Sequence, residues 1–176
     1  MAKNDIPDIT FPVRIHASAI NIGYTIWFME DPCVGFEQDL LAMDKRGKFL
    51  WCSNKASIGN IYKYLAKTFA KVRVKKKINC SFDIVEALKG LDYDRRTWGY
   101  WKLTIDSLNL LLDFVYALPA DEEDIRQQHL LGQLSNHMLL ADELTSFYSE
   151  NNTTKREMLQ IILYNCYRVY QNSRFV

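Results

Sequence analysis

Three histidines and four cysteines are the side chains with which this chain could hold a metal or carry a nucleophile. Their spacing argues against both uses. His129 and His137 stand eight positions apart and His16 stands alone, whereas a zinc-binding helix presents two histidines four apart on one face. Cys33, Cys52, Cys80 and Cys166 are scattered and form no C-x-x-C pair, so they read as reduced thiols in a cytoplasm. The chain has no G-x-S-x-G nucleophile turn, no G-x-x-x-x-G-K phosphate loop and no G-x-G-x-x-G dinucleotide turn, the backbone arrangements on which those chemistries depend. A Cys–His or Glu–Glu pair would have to be assembled by the fold from distant positions. The sequence therefore predicts no metal, no cofactor and no catalytic residue. An enzyme with a dispersed site ranks as the third reading.

Charge is more informative. Between Lys45 and Phe82 stand eleven basic side chains and no carboxylate, while the whole chain carries a formal +1. One stretch is thus a local anion attractor and the remainder is acidic. Lys63, Lys67, Lys71, Arg73, Lys75, Lys76 and Lys77 are the candidate anion-binding residues. Clustered cations bind phosphate backbones by releasing counterions, and interleaved rings such as Phe49, Trp51, Tyr62 and Tyr64 could stack on bases. A simpler reading covers the same residues. Lys63, Lys67 and Lys71 recur at the spacing of a wet helix face, and lysines along an edge strand discourage edge-to-edge pairing. No zinc spacing, ribonucleoprotein signature or helix-turn-helix accompanies them.

Three clusters suggest contact with another protein. Asp121-Glu122-Glu123-Asp124 is the densest carboxylate run; it suits a helix N-terminus, and it could also steer a basic partner, since opposite potentials raise the encounter rate. Asp92 and Asp94, followed by Arg95 and Arg96, read as an ion-paired turn or a second acidic contact. Trp98-Gly99-Tyr100-Trp101 puts three large rings in an expected connection, where Trp98 and Trp101 would either pack on the core or anchor a partner. Tyr164, Tyr167 and Tyr170 step along the last helix at three-residue intervals and read as a half-buried edge with wet hydroxyls.

The elements that must position these residues follow from periodicity. Residues 1–10 look like a loose arm. Alternation from Val13 predicts a strand, with a turn at Asn21-Ile22-Gly23 into a second strand over Tyr24–Met29. Asp44-Lys45-Arg46-Gly47 predicts a hairpin turn between Leu40–Met43 and Lys48–Cys52. Ile58, Ile61, Tyr62, Leu65, Phe69 and Val72 fall within an arc of about 100° on a helical wheel, and a period of two then predicts a strand to about Ile78. Ser81 or Asp83 would cap a short helix stopped at Gly90. Beyond Asp92–Trp101 the pattern is helical. Ile105, Leu108, Leu112 and Val115 line a helix ended by Pro119. Asp121 starts the next, through Leu131, Leu134 and Met138, with a break expected at Gly132 or Ser135-Asn136. Thr154-Lys155-Arg156-Glu157 is a capping box opening a helix to about Tyr170.

An apolar fraction of 48% and a charged fraction of 24% belong to a globular chain rather than a disordered one. The predicted fold is α+β: a small N-terminal antiparallel sheet with one or two helices, packed on a C-terminal helical bundle. Residues 1–176 read as a single domain, sheet-rich over about 11–80 and helical over about 81–176. The longest apolar stretch, Leu108–Ala120, is broken by Asn109 and Asp113 and is too short for a bilayer. Met1-Ala2-Lys3-Asn4-Asp5 is not followed by an apolar export segment. The expected function is a non-catalytic cytoplasmic protein that binds another protein. The favoured class is a bacterial immunity or antitoxin-type inhibitor masking the active site of a basic toxin, such as a nuclease. The nucleic-acid-binding module of residues 45–77 is the second reading. The oligomeric state is left open by the sequence.

Overall fold

A computed structural model describes residues 9–17, 20–29, 40–68, 76–77 and 87–176. Its contacts divide the chain into two units, one comprising Met1–Ile15, Asn21–Ser81 and Asn172–Val176, the other His16–Ile20 and Phe82–Gln171. The division near residue 81 coincides with the switch from strand to helix periodicity. It also separates charge. Phe82–Gln171 carries fourteen carboxylates and eight basic side chains, and the rest of the chain carries seven and fourteen.

In the first unit, β1 (Ile9–Ala17), β2 (Ile20–Met29), β3 (Leu40–Leu41) and β5 (Lys76–Lys77) form a sheet ordered β3-β2-β1-β5. Asn21-Ile22-Gly23, expected as a turn, lies inside β2. A second sheet pairs β4 (Phe49–Trp51) with β6 (Ser173–Phe175). The expectation of an antiparallel sheet needs correction. β2 and β3 are antiparallel, but β5 runs parallel to β1 and β6 parallel to β4, with Phe49 opposite Ser173 and Trp51 opposite Phe175. Parallel neighbours need a long crossover, and here the chain returns to β4 only after the whole helical unit.

The turn into β4 is built by Asp44. Its N–H donates to Lys48 O at 2.8 Å, and its carboxylate accepts from the N–H groups of Arg46 and Lys48 at 2.8 and 3.0 Å. Burial alone would raise the Asp44 carboxyl, but those two N–H groups and Arg174 together bring it below its ordinary value. Gly47 closes the turn at φ +74, a conformation that costs a side chain its Cβ clearance. β4 is buried along its whole length. Leu50 packs with Ala42, Cys52 and Ile61, against the partly buried Ile58, Tyr64 and Val176. Ile61 belongs to α1 (Ile58–Thr68), which follows a 3-10 turn whose Ser57 N–H donates to the Asn54 side chain at 2.9 Å.

The second unit is built on α2 (Trp98–Tyr116), α3 (Glu122–Leu140) and α5 (Lys155–Gln171), with the short α4 (Thr145–Glu150) between the last two. Trp101, Ile105, Leu108, Leu112 and Val115 are buried at three-four spacing along α2, and Leu110, Leu111 and Phe114 are buried as well, so the helix is enclosed on more than one face. The helix begins three residues before Trp101: Trp98–Trp101 is its first turn and not a connection. α3 runs antiparallel to α2, as Trp101 Nε1 donates to Met138 O at 2.6 Å and Gln128 Nε2 to Val115 O at 3.2 Å. It is continuous through Gly132 and Ser135. The expected break does not occur because Ser135 Oγ donates to Asn109 Oδ1 at 2.6 Å across the helix pair, which takes the hydroxyl away from its own backbone. The capping box at Thr154 forms, with Glu157 Oε2 accepting from Thr154 N–H at 2.7 Å and Glu157 N–H donating to Thr154 Oγ1 at 3.2 Å. The helix expected before Gly90 lies outside the described residues over 81–86.

Candidate partner-binding site

The acidic run and the tyrosine stripe, distant in sequence, meet in the helical unit. Asp121 is the N-cap of α3, and its carboxylate and that of Asp124 form a reciprocal capping box. Asp124 then turns inward. Its Oδ2 lies 2.8 Å from Arg168 Nη2 of α5, with both side chains about nine-tenths buried. Arg168 also donates to Pro119 O at 2.8 Å. Asp124, expected on a contact surface, is therefore a structural anchor and not available to a partner. Leaving either charge there without the other would cost several kcal/mol, about 3–5.

Asp124 Oδ1 accepts from Tyr164 OH at 3.3 Å, which sets Tyr164 beside the first turn of α3. Partial burial and the Asp124 carboxylate push the Tyr164 phenol above its ordinary value. Tyr164, Tyr167 and Tyr170 are 44%, 45% and 41% exposed, and the rings of Tyr167 and Tyr170 stack at 6.5 Å. The opposite side of α5 is packed through Met158, Ile162, Cys166 and Val169. Asp121, Glu122 and Glu123 are exposed in the turn to which Tyr164 is bonded through Asp124. Glu123 is held below its ordinary value by hydrogen bonds from Arg126 and Gln127. Between α3 and α5 runs a groove of about 430 Å³ whose lining includes Glu123, Gln127, Leu130, Gln160, Ile161 and Tyr164.

Asp92, Asp94, Trp98 and Trp101 lie at the other end of α2. A helix of this length spans about 27 Å, so these residues and Asp121–Asp124 do not form one contact patch. Trp101 is completely buried; it is a core residue, and the expectation of a surface anchor there is corrected. Trp98 is 48% exposed, with the Arg95 guanidinium 5.5 Å from its ring centre. Asp92 is ion-paired with Lys155, and Asp94 with Arg96, which holds the Asp94 carboxyl below its ordinary range.

Of the candidate anion-binding residues, Lys63 is exposed on α1. Lys67 lies on the same helix. Lys76 and Lys77 form β5, the end strand in the sheet order, where edge lysines were expected. Lys71, Arg73 and Lys75 lie outside the described residues.

Arg168 is the residue that sequence reasoning missed. A lone arginine near a helix end reads as a solvated C-terminal charge. The signal was its place beside the buried stripe of Met158, Ile162, Asn165 and Val169. Among the described residues, Cys52 and Cys166 are unbridged and buried, and burial pushes the Cys166 thiol up to about 12; Cys33 and Cys80 lie outside the described residues. His137 Nε2 lies 3.0 Å from Glu143 O, a contact from the last turn of α3 to the loop that follows it. Among the described residues, no cluster of His, Cys, Asp and Glu is placed to hold a metal ion, and no helix is long and apolar enough to cross a membrane.

Compared with protein-family models, curated proteins and solved structures, the chain matches none. Its functional reading therefore rests on the chemistry of its own surface.

Proposed function

We propose that this protein is a non-catalytic cytoplasmic binding protein of the immunity or antitoxin-inhibitor class, which masks a basic active site such as that of a toxic nuclease. The observation that carries the reading is the exposed row Tyr164, Tyr167 and Tyr170 on α5, tied through Tyr164 to Asp124 in the first turn of α3. Tyrosines supply large contact area at low entropic cost and tolerate water before a partner arrives. Asp121, Glu122 and Glu123 outnumber the exposed Arg126, which pairs with Glu123 at 2.8 Å, and the net negative charge suits a basic partner. The excess of carboxylates over Phe82–Gln171 extends that field and would steer encounter at low salt.

Co-expression with the product of a neighbouring gene that is toxic on its own tests the reading. Wild-type protein is expected to restore growth, and Tyr167→Ala/Tyr170→Ala is expected not to. Toxicity that persists with the wild type, or is relieved equally by the variant, would count against it.

A second reading, nucleic-acid binding by the first unit, is favoured by the joint exposure of Lys45, Arg46 and Lys63. It predicts affinity for single-stranded RNA or duplex DNA that falls by orders of magnitude between about 50 and 200 mM salt.

A further inference from the structure

Both walls of the groove between α3 and α5 are tied to one buried guanidinium. Arg168 Nη2 pairs with Asp124 Oδ2 at 2.8 Å, and Asp124 Oδ1 accepts from Tyr164 OH. A second branch leaves through Arg168 Nη1, which donates to Asn165 Oδ1 at 3.2 Å. Asn165 is completely buried. Its Nδ2 donates to Gln127 Oε1 across the helix pair at 3.3 Å, and to Ile161 O in its own helix at 2.9 Å. Gln127 Nε2 in turn donates to Glu123 Oε1 at 3.0 Å. Glu123, Gln127 and Tyr164 all line the groove.

Each link in these branches has a forced direction. A guanidinium donates and cannot accept, so Asn165 turns its oxygen to Arg168 and its NH2 away. That NH2 meets an acceptor only if Gln127 turns its oxygen inward, which leaves the Gln127 NH2 to Glu123. A reversed amide at either position would set like groups face to face where little water reaches, and an unmatched polar group costs most there. On the other branch an ionised carboxylate only accepts, so the Tyr164 proton goes to Asp124. Arg126 also meets Glu123, but both are exposed, and a surface pair alone holds its partners loosely. We propose that Arg168 and Asn165 are positioning residues: Arg168 orients the Tyr164 phenol through Asp124 and, with Asn165, orients the Glu123 carboxylate through Gln127, so that the groove offers fixed acceptors to a lysine or arginine of a basic partner. The basic partner is that of the inhibitor reading; the relay belongs to the free protein.

Nuclear magnetic resonance of the free chain tests the relay, following the Glu123 carboxyl and the Tyr164 phenol through pH titrations and the side-chain NH2 signals of Asn165 and Gln127. In the wild type, bonds from Arg126 and Gln127 hold Glu123 below its ordinary value. Gln127→Met, at a half-buried position, removes the link next to Glu123 at nearly constant shape. Asn165→Ala cuts the relay one step further in. Both should move the Glu123 midpoint up toward its ordinary value, and the double variant should match Gln127→Met alone, because residues in one network are not additive. Asn165→Ala should leave the Tyr164 midpoint where it is, since the branch through Asp124 stays intact. Helical circular dichroism checks the fold; should Asn165→Ala not fold, Gln127→Met decides, and it should also displace the Asn165 NH2 signals. A Glu123 midpoint that ignores Gln127→Met, or that ignores a folded Asn165→Ala, would overturn the proposal. So would Glu123 and Tyr164 shifting together in Asn165→Ala, the mark of general loosening. None of these readouts involves a partner, so they are independent of the co-expression test.

Discussion

The two ends of the helical unit expose aromatic rings in similar measure and differ in their charges. At the Asp121 end, Asp121, Glu122 and Glu123 are exposed in the turn that Tyr164 reaches through Asp124; the exposed Arg126 pairs with Glu123, and the buried Arg168 is held by Asp124. At the Trp98 end, Arg95 and Arg96 stand among Asp94, Asp142 and Glu143. On the proposed reading, the acidic excess at the Asp121 end suits a basic protein, while the charges at the Trp98 end are paired within the chain. The two surfaces lie at opposite ends of α2, so a change at one need not disturb the other.

The comparison can be broken from inside at either end. Arg168→Ala removes the partner of buried Asp124 and should cost about 3–5 kcal/mol of stability, read by urea unfolding, because an uncompensated carboxylate stays in the core. Arg168→Met with Asp124→Leu should recover much of that loss. At the other end, Gly90→Ala would drive a Cβ into Thr104 Oγ1 and against Tyr100 O, where the 3-10 turn Lys89–Asp92 crosses α2. Overpacking of that kind should cost about 3 kcal/mol, again in urea unfolding.

Surface changes sharpen the comparison with less cost to the fold. Tyr167→Ala/Tyr170→Ala should weaken a captured basic partner by about 2 kcal/mol or more in titration calorimetry, while stability moves by about 0.5 kcal/mol or less. The smallest effect is pH-dependent and belongs to the frame of α5. Hydrogen bonds from Thr154 hold the Glu157 carboxyl below its ordinary value of 4.5. A depressed folded value means that the stabilisation is fully present above the unfolded value and is lost as pH falls through the folded one. The stability gap between wild type and Glu157→Ala should thus be open at neutral pH and close as pH falls below the ordinary carboxylate range.

Local chemistry was legible where one short segment contains both partners of an interaction. Asp44 and Gly47 make their own turn, Asp121 and Asp124 make a cap, and Thr154 and Glu157 make another. Elements without such a segment were misread. α2 starts at Thr97 with no side-chain cap, and α4 follows Leu144, which also lacks one; neither start leaves a signature. The β4–β6 pairing joins Leu50 to Arg174, and nothing near either residue encodes the register. The same limit applies to the site. The acidic run and the three tyrosines were each visible, but their adjacency depends on the bond between Tyr164 and Asp124, forty positions apart. For Trp101 core packing and partner contact both stayed open, because an aromatic run gives no phase until the helix it belongs to is known.

The account's central claim is that the tyrosine strip and its carboxylates receive a basic protein. The direct measurement is quantitative affinity capture from the native cell extract, with wild-type protein and Tyr167→Ala/Tyr170→Ala run side by side and each eluate weighed by mass spectrometry. The account predicts a basic protein recovered in near-stoichiometric amount with the wild type and depleted by about ten-fold or more with the variant. A wild-type eluate with no stoichiometric basic protein, or one that the variant recovers equally well, would contradict it.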